Sequence, residues 1–278
     1  MVSHIARWLI EVGERPSILS RGYGRRDRLD GVVVVSDGTR VLADVNCSGD
    51  EPLMLARTVQ GAIVVVSDDR YLAGVLAQRH LGATVHVLDD GFQHVQLARD
   101  LDVLMTTPGE VSGGRVLPFG RLREAAPAAA RADLVVVLET DVVGARAEAW
   151  TLGISQAVGA RRKLERARDG SAVLAVAGVA HPERFFETLR ESDYNLAATI
   201  AFPDHHRYEI ADVTRVAAAV RAAGADRVVT TEKDLVRWEV LAPLPFSCEA
   251  VALTLDIDGW DTVTASIEQA MARAREAT

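Results

Sequence analysis

Short apolar runs rich in β-branched residues alternate along this chain with stretches whose apolar positions recur at helical spacing. The runs Pro16–Ser20, Val32–Ser36, Ile63–Ser67, Thr84–Leu88, Val103–Thr106, Leu134–Leu138, Ala172–Val176, Ala197–Ile200, Arg227–Thr230 and Ala250–Leu255 predict strands. Several are apolar on both faces, as in Ala62-Ile63-Val64-Val65-Val66. That pattern suits an α/β fold, a mostly parallel sheet covered by helices on both sides. Ile5, Trp8, Leu9 and Val12 form one helical stripe, and Arg70–His80 predicts a second helix. Pro182, in the favoured first-turn position, opens another that runs to about Arg190. Ile210–Ala223 ends at Gly224, a C-terminal cap residue, and Asp261–Glu276 closes the chain. Gly144–Arg168 is the least strand-like stretch and predicts a surface helix joining two α/β halves, 1–169 and a smaller 170–278. The chain opens on a helix that feeds a strand, whereas a βαβ unit normally puts a strand before that helix.

Composition narrows the picture. A chain of 278 residues can bury one large core or two modest ones. Aromatic residues are only 5%, so Val, Leu, Ile and Ala must build that core. A net charge of -8 argues against broad nucleic-acid binding, which needs a basic face, but leaves local anion sites open. Cys47 and Cys248 fit no zinc or redox spacing and read as small core thiols in a reducing compartment. No run reaches the roughly 18 apolar residues of a membrane span, and the start lacks the regions of a signal peptide. The expectation is a cytosolic chain that can still touch a membrane surface.

Candidate chemistry gathers at strand ends. Val85–Leu88 runs into Asp89-Asp90-Gly91-Phe92-Gln93-His94. A strand ending in two carboxylates is a Walker-B pattern, because the carboxyl edge of such a sheet faces the ligand crevice and an acid there can hold Mg²⁺ beside nucleotide phosphates. Asp-Gly is also an ordinary turn. Ser20-Arg21-Gly22-Tyr23-Gly24-Arg25-Arg26 combines glycines, which admit a close phosphate, with arginines that grip one; a solvated loop has the same composition. In Gly49-Asp50-Glu51-Pro52, an acid can cap the helix that follows, or Asp50 can act as a general base toward a hydroxyl. Asp204-His205-His206 follows a strand, and adjacent histidines point apart, so one at most joins a given site. Leu117–Glu124 carries Arg121 and Arg123, placed for anions or for a basic turn. Thr231 can cap the helix opened by Thr231-Glu232-Lys233-Asp234.

Taken in this order, these clusters, with Ala177-Gly178, His181-Pro182 and Arg184-Phe185-Phe186, resemble tetraacyldisaccharide 4'-kinases, the lipid A 4'-kinases, over nearly the whole chain. The resemblance implies a P-loop-NTPase-like fold and a membrane-associated enzyme at the cytoplasmic face of the bacterial inner membrane. It implies transfer of the γ-phosphate of ATP, with Mg²⁺, to the 4'-hydroxyl of a tetraacyldisaccharide 1-phosphate, an anionic glycolipid. It implies Asp50 as catalytic base with His205 as its partner, and Asp89 and Asp90 as metal-holding acids. Gln93 and His94 would lie close to the site, and Arg70 and Arg123 would contact phosphate or orient the substrate. The chain departs from the family in holding no G-x-x-x-x-G-K-[ST] loop. The expectation is therefore an N-terminal truncation, with the first strand and P-loop missing and turnover impaired. Two other readings stand beside the kinase: a non-catalytic remnant that binds glycolipid, and a DHH-type metal-dependent phosphoesterase using Asp89, Asp90 and His205.

Overall fold

A computed structural model describes residues 1–27, 30–164 and 170–277. The first elements are α1 (Val2–Glu11), β1 (Pro16–Ser20), β2 (Val33–Asp37), α2 (Val45–Ser48), α3 (Asp50–Thr58), β3 (Ile63–Val66), α4 (Arg70–Leu81) and β4 (Val85–Leu88). There follow β5 (Val103–Thr106), β6 (Leu134–Leu138), α5 (Val142–Leu152), β7 (Gln156–Leu164), β8 (Ala172–Ala177), α6 (Pro182–Glu191), β9 (Asn195–Ala201) and α7 (Ile210–Ala223). The chain ends with β10 (Arg227–Thr231), α8 (Glu232–Trp238), β11 (Cys248–Val251), β12 (Leu253–Asp258) and α9 (Trp260–Glu276). Two compact units share the chain: Met1–Asp90 with Leu164–Leu253, and Gly91–Lys163 with Thr254–Thr278.

The first unit holds two sheets. One runs β2-β3-β1-β4, with β1 parallel to both β3 and β4 and β2 antiparallel at the edge. β1 and β3 are buried along their whole length, which is why neither alternates polar and apolar residues. Ile18, Val64 and Val66 pack with Leu53, Leu55 and Ala56 of α3 on one face, while Leu19, Ile63 and Val65 pack with Ala73 and Ala77 of α4 on the other. The second sheet is parallel throughout in the order β11-β10-β8-β9. Val236 of α8 joins the cluster formed by α3, so the two helices pack together and bring the start of α8 toward the start of α3.

The second unit carries a sheet in the order β12-β7-β6-β5, with β5, β6 and β7 parallel. Here the structure corrects the sequence reading of Gly144–Arg168. Its first part lies in α5, but Gln156–Leu164 is a strand, and 165–168 lie outside the described residues. β7 escaped notice because its buried run Val158-Gly159-Ala160 is short and is followed by Arg161, Arg162 and Lys163 before the next buried residue, Leu164. Gly159 marks it: a Cβ there would lie 2.5 Å from the Asp141 backbone. The run Ala250–Leu255 also splits, into β11 of one sheet and β12 of another. The units therefore divide differently from 1–169 and 170–278, a boundary whose first residue is outside the described ones; the chain leaves the first unit after Asp90, returns at Leu164 and leaves again after Leu253. Among the described residues no helix is long and apolar enough to cross a membrane.

Candidate active site

Two glycines set the entry to α3. Gly49 has φ 86°, and a Cβ on it would lie 2.8 Å from the Tyr23 carbonyl oxygen. Gly22 has φ 65°, and a Cβ there would lie 2.6 Å from the Ser48 carbonyl oxygen. The loop after β1 and the start of α3 thus interlock at positions only glycine fills without strain. Gly49, rather than Asp50, is the N-cap residue, and Asp50 is the first residue of the helix. Asp50 is buried, and its Oδ1 accepts from the Glu51 backbone N–H at 2.8 Å.

The other carboxylate oxygen meets two groups. His205 Nδ1 lies 3.0 Å from Asp50 Oδ2, and Arg237 Nε lies 3.4 Å from it. His205 sits in the loop after β9 at φ 54°, with the Lys233 ammonium 3.4 Å from its Nε2. A carboxylate can only accept and an ammonium can only donate, so these neighbours select one tautomer: Nδ1–H donates to Asp50 and Nε2 accepts from Lys233. Tyr23 packs edge-on to the same ring. His206 turns away, its Nε2 2.9 Å from Asp212 and its ring stacked on Phe202.

Behind this pair stands a fully buried carboxylate, Asp234. It accepts from Tyr208 Oη at 2.7 Å, from the Gly178 backbone N–H at 3.0 Å and from Thr231 Oγ1 at 2.7 Å, and it pairs with Arg237 Nη2 at 2.8 Å. Thr231 does cap α8, accepting from the Asp234 N–H. Burial, then the charge and hydrogen bond of Asp234, hold the Tyr208 phenol far above its usual range.

The paired acids lie at the carboxyl edge of the first sheet. The Asp89 N–H donates to Leu19 O at 3.0 Å and its Oδ2 accepts from Ser20 Oγ at 3.1 Å, while Asp90 follows at φ 51°. Arg70, itself buried, donates to the carbonyl oxygens of Ser67 at 2.7 Å and Asp89 at 3.5 Å, and its buried Nε has no hydrogen-bond partner among the described residues. Burial raises the Asp89 carboxyl above its ordinary value and Asp90 raises it further, against Ser20, Arg70 and the Met1 amino group. Burial lowers the Met1 amino group, and Asp89 opposes that shift, so the chain begins beside this acid. Burial likewise lowers Arg70, helped by the like charge of Arg21. Glu51 is raised by burial and then by Asp89, and it also feels Lys233, Asp50 and His205. Glu51 thus feels the charges of both clusters, and both belong to the first unit.

Asp50, His205, Asp89, Asp90 and Arg70 all belong to the first unit. Gln93, His94 and Arg123 stand in the second unit. Gln93 and Arg123 are exposed, and the His94 N–H closes a turn onto Gly91 O at 2.9 Å. Sequence reasoning missed Lys233 and Arg237. Both lie on α8, whose opening residues had an adequate explanation as a helix cap.

A family profile described as tetraacyldisaccharide-1-P 4'-kinase matches residues 1–272. The chain belongs to this family. It is 43% identical over 251 residues to the tetraacyldisaccharide 4'-kinase of Geobacter metallireducens, covering 85% of this chain and 73% of that protein. The corresponding kinase of Pelobacter propionicus is 41% identical over 251 residues, covering 85% of this chain and 69% of that one. A crystal structure of LpxK from Aquifex aeolicus, described as an apo form in complex with ATP, superposes with a TM-score of 0.74 at 24% identity over 97% of this chain and 84% of that one. The likeness extends to the fold, and the α/β class expected of a P-loop-type kinase is the class observed.

Proposed function

We propose that this member of the tetraacyldisaccharide 4'-kinase family transfers the γ-phosphoryl group of ATP to the 4'-hydroxyl of tetraacyldisaccharide 1-phosphate, with Asp50 as general base. The observation that carries the assignment is the 3.0 Å contact between buried Asp50 and His205, two residues 155 apart in sequence. A sugar hydroxyl is a weak nucleophile at neutral pH, so a placed base raises its reactivity as it attacks. The hydroxyl oxygen bonds to the γ-phosphorus, the bond to the ADP oxygen breaks, and the hydroxyl proton passes to Asp50. Asp50 Oδ1 accepts the Glu51 N–H, and a carboxylate oxygen has a second lone pair for that proton. His205 holds the carboxylate from its other oxygen.

Asp89 and Asp90 suit Mg²⁺, which binds through one or two carboxylates plus substrate phosphates rather than an all-protein cage. Their chemistry supports the fit: Asp89 is desolvated beside a second acid, a strain that a divalent cation relieves. When bound, the ion neutralises phosphate charge in the transition state. Arg70 lies at the same edge, its buried Nε without a hydrogen-bond partner among the described residues, and serves as a phosphate contact. Arg123, Gln93 and His94 are assigned to nucleotide or substrate contacts. The site of action is the inner-membrane surface, because the acceptor carries acyl chains. Family membership sets aside the DHH-type phosphoesterase, and so does the geometry: His205 and His206 face Asp50 and Asp212.

Variant kinetics test the assignment. Asp50→Ala is expected to lower kcat by at least about 100-fold with the KM for ATP nearly unchanged, because a base acts in the transition state. His205→Ala follows with a smaller loss, and His206→Ala with much less. Near wild-type turnover in Asp50→Ala, or a larger loss at His206 than at His205, refutes it.

A further inference from the structure

We propose that Arg237 is a positioning residue for this reaction, acting by fixing the Asp50–His205 pair; the proposal rests on the reading of Asp50 as base. One buried guanidinium ties three separate pieces of the first unit together. Its Nε–H donates to the Lys233 carbonyl oxygen at 3.3 Å, one turn back on α8, and the same nitrogen forms an ion pair with Asp50 Oδ2 at 3.4 Å, at the start of α3. Its Nη1 donates to the carbonyl oxygen of His206 at 2.9 Å, in the loop that carries His205. Its Nη2 donates to the Gly178 carbonyl oxygen at 3.0 Å and meets Asp234 Oδ1 at 2.8 Å.

Three physical points give this arrangement its consequence. First, His205 has φ 54°, a left-handed conformation that costs a non-glycine residue about 1–2 kcal/mol and persists only where neighbours enforce it. The Arg237 bond to the next carbonyl and the stacking of His206 on Phe202 supply that enforcement. Second, Arg237 is itself held from behind by Asp234, so it is a fixed cation rather than a mobile one. It faces the carboxylate that must be ionised to accept a proton. Third, the planar guanidinium donates to the carbonyls of Lys233, His206 and Gly178 while setting its charge against Asp50 and Asp234, an arrangement that the three donors of a lysine on a flexible stem cannot reproduce. The base and its partner come from remote parts of the chain, and Arg237 contacts the base and the carbonyl of the residue that follows the partner. A displacement of about 1 Å at such a pair costs on the order of 100-fold in rate.

The test is a cycle of kcat measurements on wild type, Arg237→Met, Asp50→Asn and the double variant. Arg237→Met alone is expected to lose about 10- to 100-fold in kcat, with the KM for ATP within about two-fold. In the Asp50→Asn background the same change is expected to cost less than about two-fold. A merely structural arginine lowers kcat equally in both backgrounds, and that result overturns the proposal. Arg237→Lys keeps a cation beside Asp234 and guards against loss of folding. It is expected to keep its melting temperature within a few degrees yet recover only part of the lost kcat; full recovery refutes the need for a planar guanidinium. A third readout needs no turnover. Nitrogen-15 spectra of the His205 ring, assigned with His205→Gln, are expected to change in Arg237→Lys, and an unchanged ring signal and titration counts against the tie. Should Asp50→Asn keep wild-type turnover, the base assignment fails by itself, and the ring spectra still decide whether Arg237 holds the pair.

Discussion

Asp234→Ala tests the buried network that supports the site. The carboxylate has no exposed surface and satisfies Tyr208 Oη, the Gly178 N–H, Thr231 Oγ1 and Arg237 at once. Alanine removes the acceptor of a buried phenol, a backbone N–H and the Thr231 hydroxyl, and it removes the counter-charge of Arg237 Nη2, which keeps its bond to the Gly178 carbonyl. Orphaned neutral groups cost about 1–3 kcal/mol each, and breaking a buried ion pair from one side costs about 3–5 kcal/mol. These overlap, and Arg237 keeps Asp50, so the expected total is about 3–5 kcal/mol rather than the sum. Against a typical stability of about 5–15 kcal/mol this is a large loss. Trp238 provides the assay, because its buried ring stacks on Tyr208 at 3.7 Å between centroids. Urea unfolding followed by tryptophan emission is expected to shift to a midpoint lower by more than about 1 M. Asp234→Asn keeps the shape but sets an amide against donors, and it is expected to fall between alanine and wild type. An alanine variant within about 1 kcal/mol of wild type refutes the reasoning, since a fully buried carboxylate with four partners cannot be removed so cheaply.

Gly49→Ala is expected to lose at least about 1–2 kcal/mol from the left-handed backbone alone, and to lower kcat because its Cβ pushes the Tyr23 carbonyl from the residue before Asp50; wild-type melting and turnover together contradict this. Cys248 should resist iodoacetamide at pH 8 in the native protein and react in guanidinium, because burial pushes its thiol up to about 12. A raised thiol means the fold favours the neutral form. Its contribution to stability is therefore complete below about 8.5, the ordinary thiol value, and is lost as pH rises toward about 12. Rapid labelling of native Cys248 at pH 8, read by mass spectrometry, rules this out.

The sequence made most of the parallel framework legible, because β1, β3, β6 and β8 are buried on both faces and can only be written in β-branched and small apolar residues. β7 was illegible for the opposite reason, with basic residues on its outward positions. Asp89 and Asp90 were legible because a strand end fixes where their backbone lies. The meeting of Asp50 with His205 was legible only through resemblance, since nothing local to either residue announces a partner 155 positions away. Arg237 was not legible at all. Its partners are Asp234 on its own helix, Asp50 on another and three backbone carbonyls, and backbone groups leave no trace in a sequence.

The most direct measurement of the central claim is transfer of phosphorus-32 from γ-labelled ATP to tetraacyldisaccharide 1-phosphate, resolved by thin-layer chromatography. It is run with the wild-type protein and with Asp50→Ala. A labelled 4'-phosphate product is expected from the wild type, dependent on Mg²⁺ and lost in Asp50→Ala. No labelled lipid from the wild type, with the glycolipid still bound, contradicts the kinase assignment and leaves a binding protein in its place.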